Sequence, residues 1–368
     1  MKKNNVFTTK IFSIILPFLA VFIFFSCSGV IFDTIRDEVK LADAKISGDI
    51  QNIVRYKENI YVSTGKIYTR NVSLTSDLAG NSKTDDETIT VAADVKTELS
   101  SFTSPSGYVY SLAADSSNLY ALSTVFEEDD DGYNVPSKRT LWSYDGTKWK
   151  QIWEKSYNTS DTVLFCTNTL DESNRHAYFR YGTTVYELDG SELGESGMTT
   201  GETDNTTVPT TSVMSCAVLG STVYFSSAYA MTSNETSEDD STYIYRSNGD
   251  TVYYSTDGSN WNSADLNCDT IYSLAITADY LLAGTASGIV HTPLTNNIPS
   301  SGTADFNTNA DSTLSSYYEV PSLLVIDSLQ AETSATIFAT CLTSSSSASL
   351  NNVGLWSYFA SEGEWNRE

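Results

Sequence analysis

The feature that most constrains the fold of this 368-residue chain is a phrase it writes more than once. Residues 141–149 read LWSYDGTKW, residues 253–261 read YYSTDGSNW, residues 185–193 read VYELDGSEL, and LWSY returns at 355–358. Around these copies run short stretches rich in Val, Ile, Tyr, Leu and Thr, cut by Gly, Asn, Asp and Ser. That is the strand-and-turn signature of an all-β protein. Aligning one recurrent stretch sets the period: Tyr61, Tyr120, Tyr178, Tyr224, Leu281 and Phe338 hold equivalent places, at offsets of 59, 58, 46, 57 and 57 residues. A second stretch agrees, because VYSLA at 109–113 returns as IYSLA at 271–275. A self-similar unit of about 55 residues repeated six times implies a repeat architecture.

Each unit accommodates four short strands, A to D. NIVRY at 52–56, TVLFC at 162–166, VMSCA at 213–217 and LLVID at 323–327 serve as first strands, and the repeated phrase links C to D. One four-stranded unit has two apolar faces to cover. Six of them around an axis bury both faces of every sheet and leave few open edges. The expectation is a β-propeller of six four-stranded blades. Seven blades, or paired β-sandwiches, are the alternatives, and the near-constant period argues against sandwiches. EVKLADAKI at 38–46 is a candidate closing strand, because the last unit ends in a short D stretch.

The N-terminus is basic (MKKNNVFTTK), then apolar from 11 to 25, then SCSG. This is an export leader, too short for the roughly 20 apolar residues of a membrane span. Cys27, flanked by Ser26, Ser28 and Gly29, resembles the lipidation site of bacterial lipoproteins, and Phe24 in place of the usual leucine resembles the relaxed sites of spirochaetal ones. The resemblance implies a signal peptide over 1–26, a lipidated tether over 27–49 and a propeller over 50–368. It also implies attachment to the cell envelope by acyl chains, at an outer membrane or cell surface rather than an inner membrane. Loss of the leader leaves 18 of the 21 Lys and Arg against 46 Asp and Glu, a net charge of 18 − 46 = −28. Such a surface repels nucleic acid and anionic headgroups. Cys166, Cys216, Cys268 and Cys341 follow no CxxC spacing and read as buried thiols; bridging needs alpha carbons within about 7 Å.

The phrase Ser-x-Asp-Gly-x-x-Trp resembles the Asp-box of sialidases and other propellers. Ser143, Asp145, Gly146 and Trp149 carry it, as do Ser255, Asp257, Gly258 and Trp261, and Asp189 and Gly190 keep its centre. As residue types these form a turn: Asp-Gly supplies two positive-φ positions, and Trp packs between blades. The boxes read as scaffold. A sialidase would further need an arginine cluster and a Tyr nucleophile, whereas the mature chain has eight scattered arginines and two histidines, His176 and His291. No catalytic residues, metal ligands or cofactor are expected, and the protein reads as a non-enzyme.

Long insertions point to where binding would occur. FEEDDDGYNVPSK at 126–138, AMTSNETSEDDST at 230–242 and CLTSSSSASLNN at 341–352 are assigned to B–C connections, and 195–211 to a crossing between blades. All would lie on one face, opposite the Asp-Gly turns. The acid runs Glu127, Glu128, Asp129, Asp130, Asp131 and Glu238, Asp239, Asp240 mark that face as a contact surface for a basic protein, a glycan or, less well matched, calcium. The function expected is a binding module, with an envelope-assembly scaffold or a glycan-acting hydrolase of sialidase-like fold as alternatives.

Overall fold

The computed structural model describes residues 46, 49–50, 52–71, 99–161, 163–167, 175–182, 184–194, 215–219, 222–226, 230–234, 243–306, 318–326, 336–343, 353–359 and 364–367. The chain divides into two compact units, Met1–Asp43 and Ala44–Glu368; all described residues belong to the second.

Every described element is a strand, and every pairing is antiparallel between neighbours in sequence or nearly so. Six sheets of three to five strands form the six blades of a β-propeller. Blade 1 runs β1 (Val54–Tyr56), β2 (Asn59–Ser63), β3 (Ile67–Asn71) and β4 (Ser100–Ser101). Blade 2 runs β5 (Tyr108–Ala114), β6 (Leu119–Glu128), β7 (Asn134–Tyr144) and β8 (Trp149–Ser156). Blade 3 shows β9 (Val163–Thr167), β10 (Ala177–Tyr181) and β11 (Thr184–Leu188). A two-stranded hairpin follows, β12 (Ser215–Leu219) and β13 (Thr222–Ser226). Blade 4 is β14 (Met231–Ser233), β15 (Ile244–Asn248), β16 (Thr251–Ser255) and β17 (Asn262–Asp265). In blade 5, β18 (Ile271–Ile276), β19 (Tyr280–Thr285) and β20 (Gly288–Thr295) are completed by β21 (Ile298–Pro299) and β22 (Ala304–Asp305), both paired to β20. In blade 6, β23 (Tyr318–Glu319) and β24 (Leu323–Ile326) share one partner, β25 (Thr336–Thr343), which leads to β26 (Gly354–Phe359) and β27 (Glu364–Arg367).

The core is divided among the seams between blades, as a ring of stacked sheets requires. Residues of blades 1 and 2 form one apolar cluster around Tyr61, Ile67, Leu112 and Leu119. Blades 2 and 3 meet at Leu141, Ile152, Phe165 and Phe179. Blades 4 and 5 meet at Tyr245, Leu266 and Leu281, and blades 5 and 6 at Phe306, Ile337 and Trp356. Each large side chain buried in this way contributes on the order of 1.5–3 kcal/mol. The ring closes on a fifth cluster, where Ile60 and Val62 of blade 1 meet Phe338 and Leu355 of blade 6 and Ile46 and Ile50 pack with them. Strand β27 completes blade 6 from the C-terminal residues, so each blade at this joint is built from its own end of the chain. Residues 38–45, part of the candidate closing strand, lie outside the described residues, and Ile46 is buried in the seam without pairing as a strand.

The position between blades 3 and 4 is held differently. The hairpin lies there, with β12 alongside both β9 and β14, and a disulfide joins Cys166 of β9 to Cys216 of β12 across a Cα–Cα distance of 6.1 Å. This corrects the expectation of free thiols at these two positions: similar places on two inner strands that lie side by side bring the alpha carbons within bridging reach. Cys268 and Cys341 are in the thiol form. The hairpin also corrects the fourth repeat. Tyr224 lies on β13, whereas the second strand of blade 4 is β15, where fully buried Ile244 faces Ser255 as Tyr120 faces Ser143.

Candidate interaction surface

The Asp-Gly turns join the third strand of a blade to the fourth. In blade 2, Tyr144 pairs with Trp149, leaving the four residues 145–148 as the turn. Asp145 Oδ1 accepts the Thr147 hydroxyl and the Thr147 and Lys148 N–H groups, at 2.5, 2.8 and 3.0 Å. These bonds, the Thr147 hydroxyl first, hold the exposed carboxyl down at about 2. Asp257 repeats the pattern with Ser259 and Asn260, and its carboxyl is lowered too, chiefly by the Asn260 N–H. Asp189 accepts from Ser191. Only the glycines take positive φ, at 97° for Gly146, 81° for Gly190 and 72° for Gly258. The expected pair of positive-φ residues is thereby corrected: the connection is longer than a two-residue hairpin, so Asp is free to stay in an ordinary conformation and act as an acceptor.

The turns also lean on their neighbours. A methyl group on Gly146 would lie 2.9 Å from Lys57 Nζ of blade 1, and one on Gly190 would lie 3.1 Å from Asn118 of blade 2. One on Gly258 would run into the Tyr224 hydroxyl of the hairpin. The residue at the Trp place fills the same seam: Trp149 donates to the Thr103 carbonyl at 3.0 Å, next to Phe102 and Tyr144, and Trp365 reaches the Phe306 carbonyl at 3.4 Å. Trp261 instead lies under the Arg246 guanidinium, 4.2 Å from the ring centre.

The scattered arginines and histidines are occupied elsewhere. Arg175 donates to the Arg55 carbonyl and Arg180 to the Gly182 carbonyl. His291 stacks on Tyr280, and His176 pairs with Glu187 at 2.6 Å. Burial raises the Tyr110, Tyr178 and Tyr245 phenols, and burial followed by the Asp115 hydrogen bond raises Tyr120. Burial likewise raises the Cys268 thiol to about 11, which keeps it protonated.

The acid runs separate. Glu127 to Asp131 lie at the tip of β6 and β7, on the B–C connection of blade 2. Glu238, Asp239 and Asp240, with 195–211 and Cys27, lie outside the described residues. The connection holding Glu238 to Asp240 joins β14 to β15, the first two strands of blade 4, not the second and third. This corrects the assignment of 230–242 to a connection between the second and third strands of its blade. The misreading has a physical source: two successive hairpins in this region alternate alike, and only the second is followed by Asp-Gly.

The element that stands out is the tip of β6–β7. Strand β8 follows β7 only as far as Ser156 opposite Lys138, with one further bond from the Tyr157 N–H to the Ser137 carbonyl. From Phe126 to Pro136 the ribbon is exposed throughout, three paired residues per strand or roughly 10 Å, closed by the turn 129–133. The Asp129 carboxylate accepts from the Asp131 and Tyr133 N–H groups at 3.0 and 2.8 Å and shapes the tip. Phe126, Tyr133 and Val135 expose 47, 70 and 39 %, three of the five large apolar side chains exposed among the described residues. No group of three or more His, Cys, Asp or Glu converges as a metal site among those residues. Sequence reading finds the acids of this ribbon and misses its large apolar residues, although Phe126 directly precedes the acid run and Tyr133 and Val135 follow it.

No protein-family model matches the chain, and no curated protein matches it. Among solved structures, the tricorn protease is similar over 88 % of this chain at 9 % identity and TM-score 0.45, and this chain covers 26 % of the tricorn chain. Saccharomyces cerevisiae Sqt1 is similar over 89 % of this chain and 85 % of its own, at 11 % identity and TM-score 0.41. BamB from Moraxella catarrhalis is similar over 80 % and 74 %, at 10 % identity and TM-score 0.32.

Proposed function

We propose that this protein is an exported, lipid-anchored binding module that engages a macromolecular partner through the β6–β7 ribbon. The ribbon carries the reading. A folded chain gains nothing for its own core by holding Phe126, Tyr133 and Val135 in water on a projecting element, and apolar side chains grouped in this way mark contact sites. A closed ring of apolar seams is a rigid base for such an element. The leader and Cys27 support attachment to the envelope by acyl chains, since a chain this acidic has no basic patch to offer a membrane.

Two experiments test the two halves. Cys27→Ser is expected to move the protein from the detergent phase to the aqueous phase on phase separation; retention in the detergent phase would remove the lipid anchor. Replacing 126–136 by a two-residue Asn-Gly turn is expected to leave the melting temperature unchanged and abolish recovery of the partner from envelope extracts. Equal recovery by the shortened protein would remove the ribbon from the binding site.

A further inference from the structure

We infer that the partner contacted by the ribbon is a cationic, amphipathic polypeptide segment; this rests on the reading of the ribbon as a binding element. The register places charge and apolar surface together on each side. Phe126 pairs with Pro136 and Glu128 with Asn134, so one side of the ribbon presents Phe126, Pro136 and Glu128. Glu127 pairs with Val135, and alternation sets Tyr133 on that same side, so the other presents Glu127, Tyr133 and Val135. All of these are exposed. Opposite residues across a strand pair sit about 5 Å apart. A segment with Lys or Arg next to an apolar side chain meets both requirements at once on either side.

Other occupants fit less well. A second copy would bring one run of five acids against another, a like-charge contact that discourages ribbon-to-ribbon pairing. An anionic lipid surface is repelled for the same reason. A cation held by carboxylates needs convergent oxygens, whereas Asp129 Oδ1 is taken up by two backbone N–H groups and no three acids gather here. Long cationic side chains, by contrast, lay apolar stems along Tyr133 and Phe126 while reaching the carboxylates beyond them.

The test uses the full-length protein in a non-ionic detergent. The probes are a peptide of about 14 residues with Lys and Arg interspersed among Leu, Val and Tyr, its Lys/Arg→Glu twin and its twin with Leu, Val and Tyr changed to Ser, read by fluorescence anisotropy. The cationic amphipathic peptide is expected to bind, and to lose about tenfold in affinity between low and physiological salt. Glu127→Gln, Glu128→Gln, Asp130→Asn and Asp131→Asn combined should cost a further loss of about tenfold, and Phe126→Ser with Tyr133→Ser a loss of several-fold. Asp129 is left in place because it shapes the tip. A control with Glu58→Gln, Glu192→Gln, Asp250→Asn and Asp279→Asn removes as much charge elsewhere and should bind as the parent does. Equal losses in ribbon and control variants, or equal binding of the Glu twin, would overturn the inference. If the shortened ribbon abolishes recovery of the envelope partner while the cationic peptide ignores every ribbon variant, the binding module stands and the cationic partner falls.

Discussion

The bridge between Cys166 and Cys216 makes a quantitative prediction. It closes a loop of 50 residues and ties the inner strand of blade 3 to a hairpin that has only two strands of its own. Cross-linking over that separation removes chain entropy from the unfolded state, and the loop relation gives about 4 kcal/mol at 25 °C as an upper value. Unfolding a unit of this size carries an entropy of roughly 0.7 kcal/mol per kelvin near its midpoint. Cys166→Ser with Cys216→Ser is then expected to lower the melting temperature by about 6 °C. The assay is calorimetry or far-UV circular dichroism on the oxidised parent and the double variant, both carrying Cys27→Ser. Thiol titration of the unfolded, unreduced parent should find Cys268 and Cys341 and nothing more. Hydrogen exchange should show the loss of protection concentrated at 215–219 and 163–167. Four titratable thiols, or superimposable melting curves, would show that the two strands are held by packing alone and that the entropic reasoning does not apply.

Two further outcomes concern the turns. Gly258→Ala places a side chain at positive φ and against Tyr224, whereas Gly302→Ala, at φ 84°, meets nothing within 4 Å. Gly258→Ala should therefore cost about 1–2 kcal/mol more than Gly302→Ala in urea unfolding, with part of the excess recovered by Tyr224→Phe; equal costs would mean that hairpin and turn do not touch. The lowered Asp145 carboxyl contributes stability that is fully present above its ordinary value of 3.8 and is lost as pH falls toward about 2. Asp145→Asn should accordingly melt slightly below the parent at about pH 6 and converge with it near pH 2, and a gap unchanged across that range would refute the assignment.

Much of the ring is legible in the sequence because alternation and turn chemistry are local. Tyr61, Tyr120, Tyr178, Leu281 and Phe338 all fall on second or equivalent inner strands, and each Asp-Gly of the phrase falls directly after a third strand. The misreadings come from non-local facts. Tyr224 and Ile244 sit in runs with the same alternation, and which of them belongs to a blade depends on which hairpin is joined to outer strands. The disulfide is half visible, since Cys166 and Cys216 stand at like places in like strands, but only the adjacency of β9 and β12 turns likeness into proximity. At the ribbon the acids are legible as a contact loop but the apolar residues beside them are not, because nothing local shows that strand β8 stops short, and it is that shortfall which leaves Phe126, Tyr133 and Val135 uncovered.

The seam where Ile46 and Ile50 pack has a mechanical meaning. The chain enters the ring at the joint of the first blade and the last, packed with Phe338 and Leu355 rather than stitched into a ladder. Tension arriving along the N-terminal residues is therefore delivered to an apolar joint, while the disulfide braces the ring at a separate point between blades 3 and 4. Under a steady pull such a ring yields first where its two ends meet, and it does so as a clasp opens, with every blade still intact.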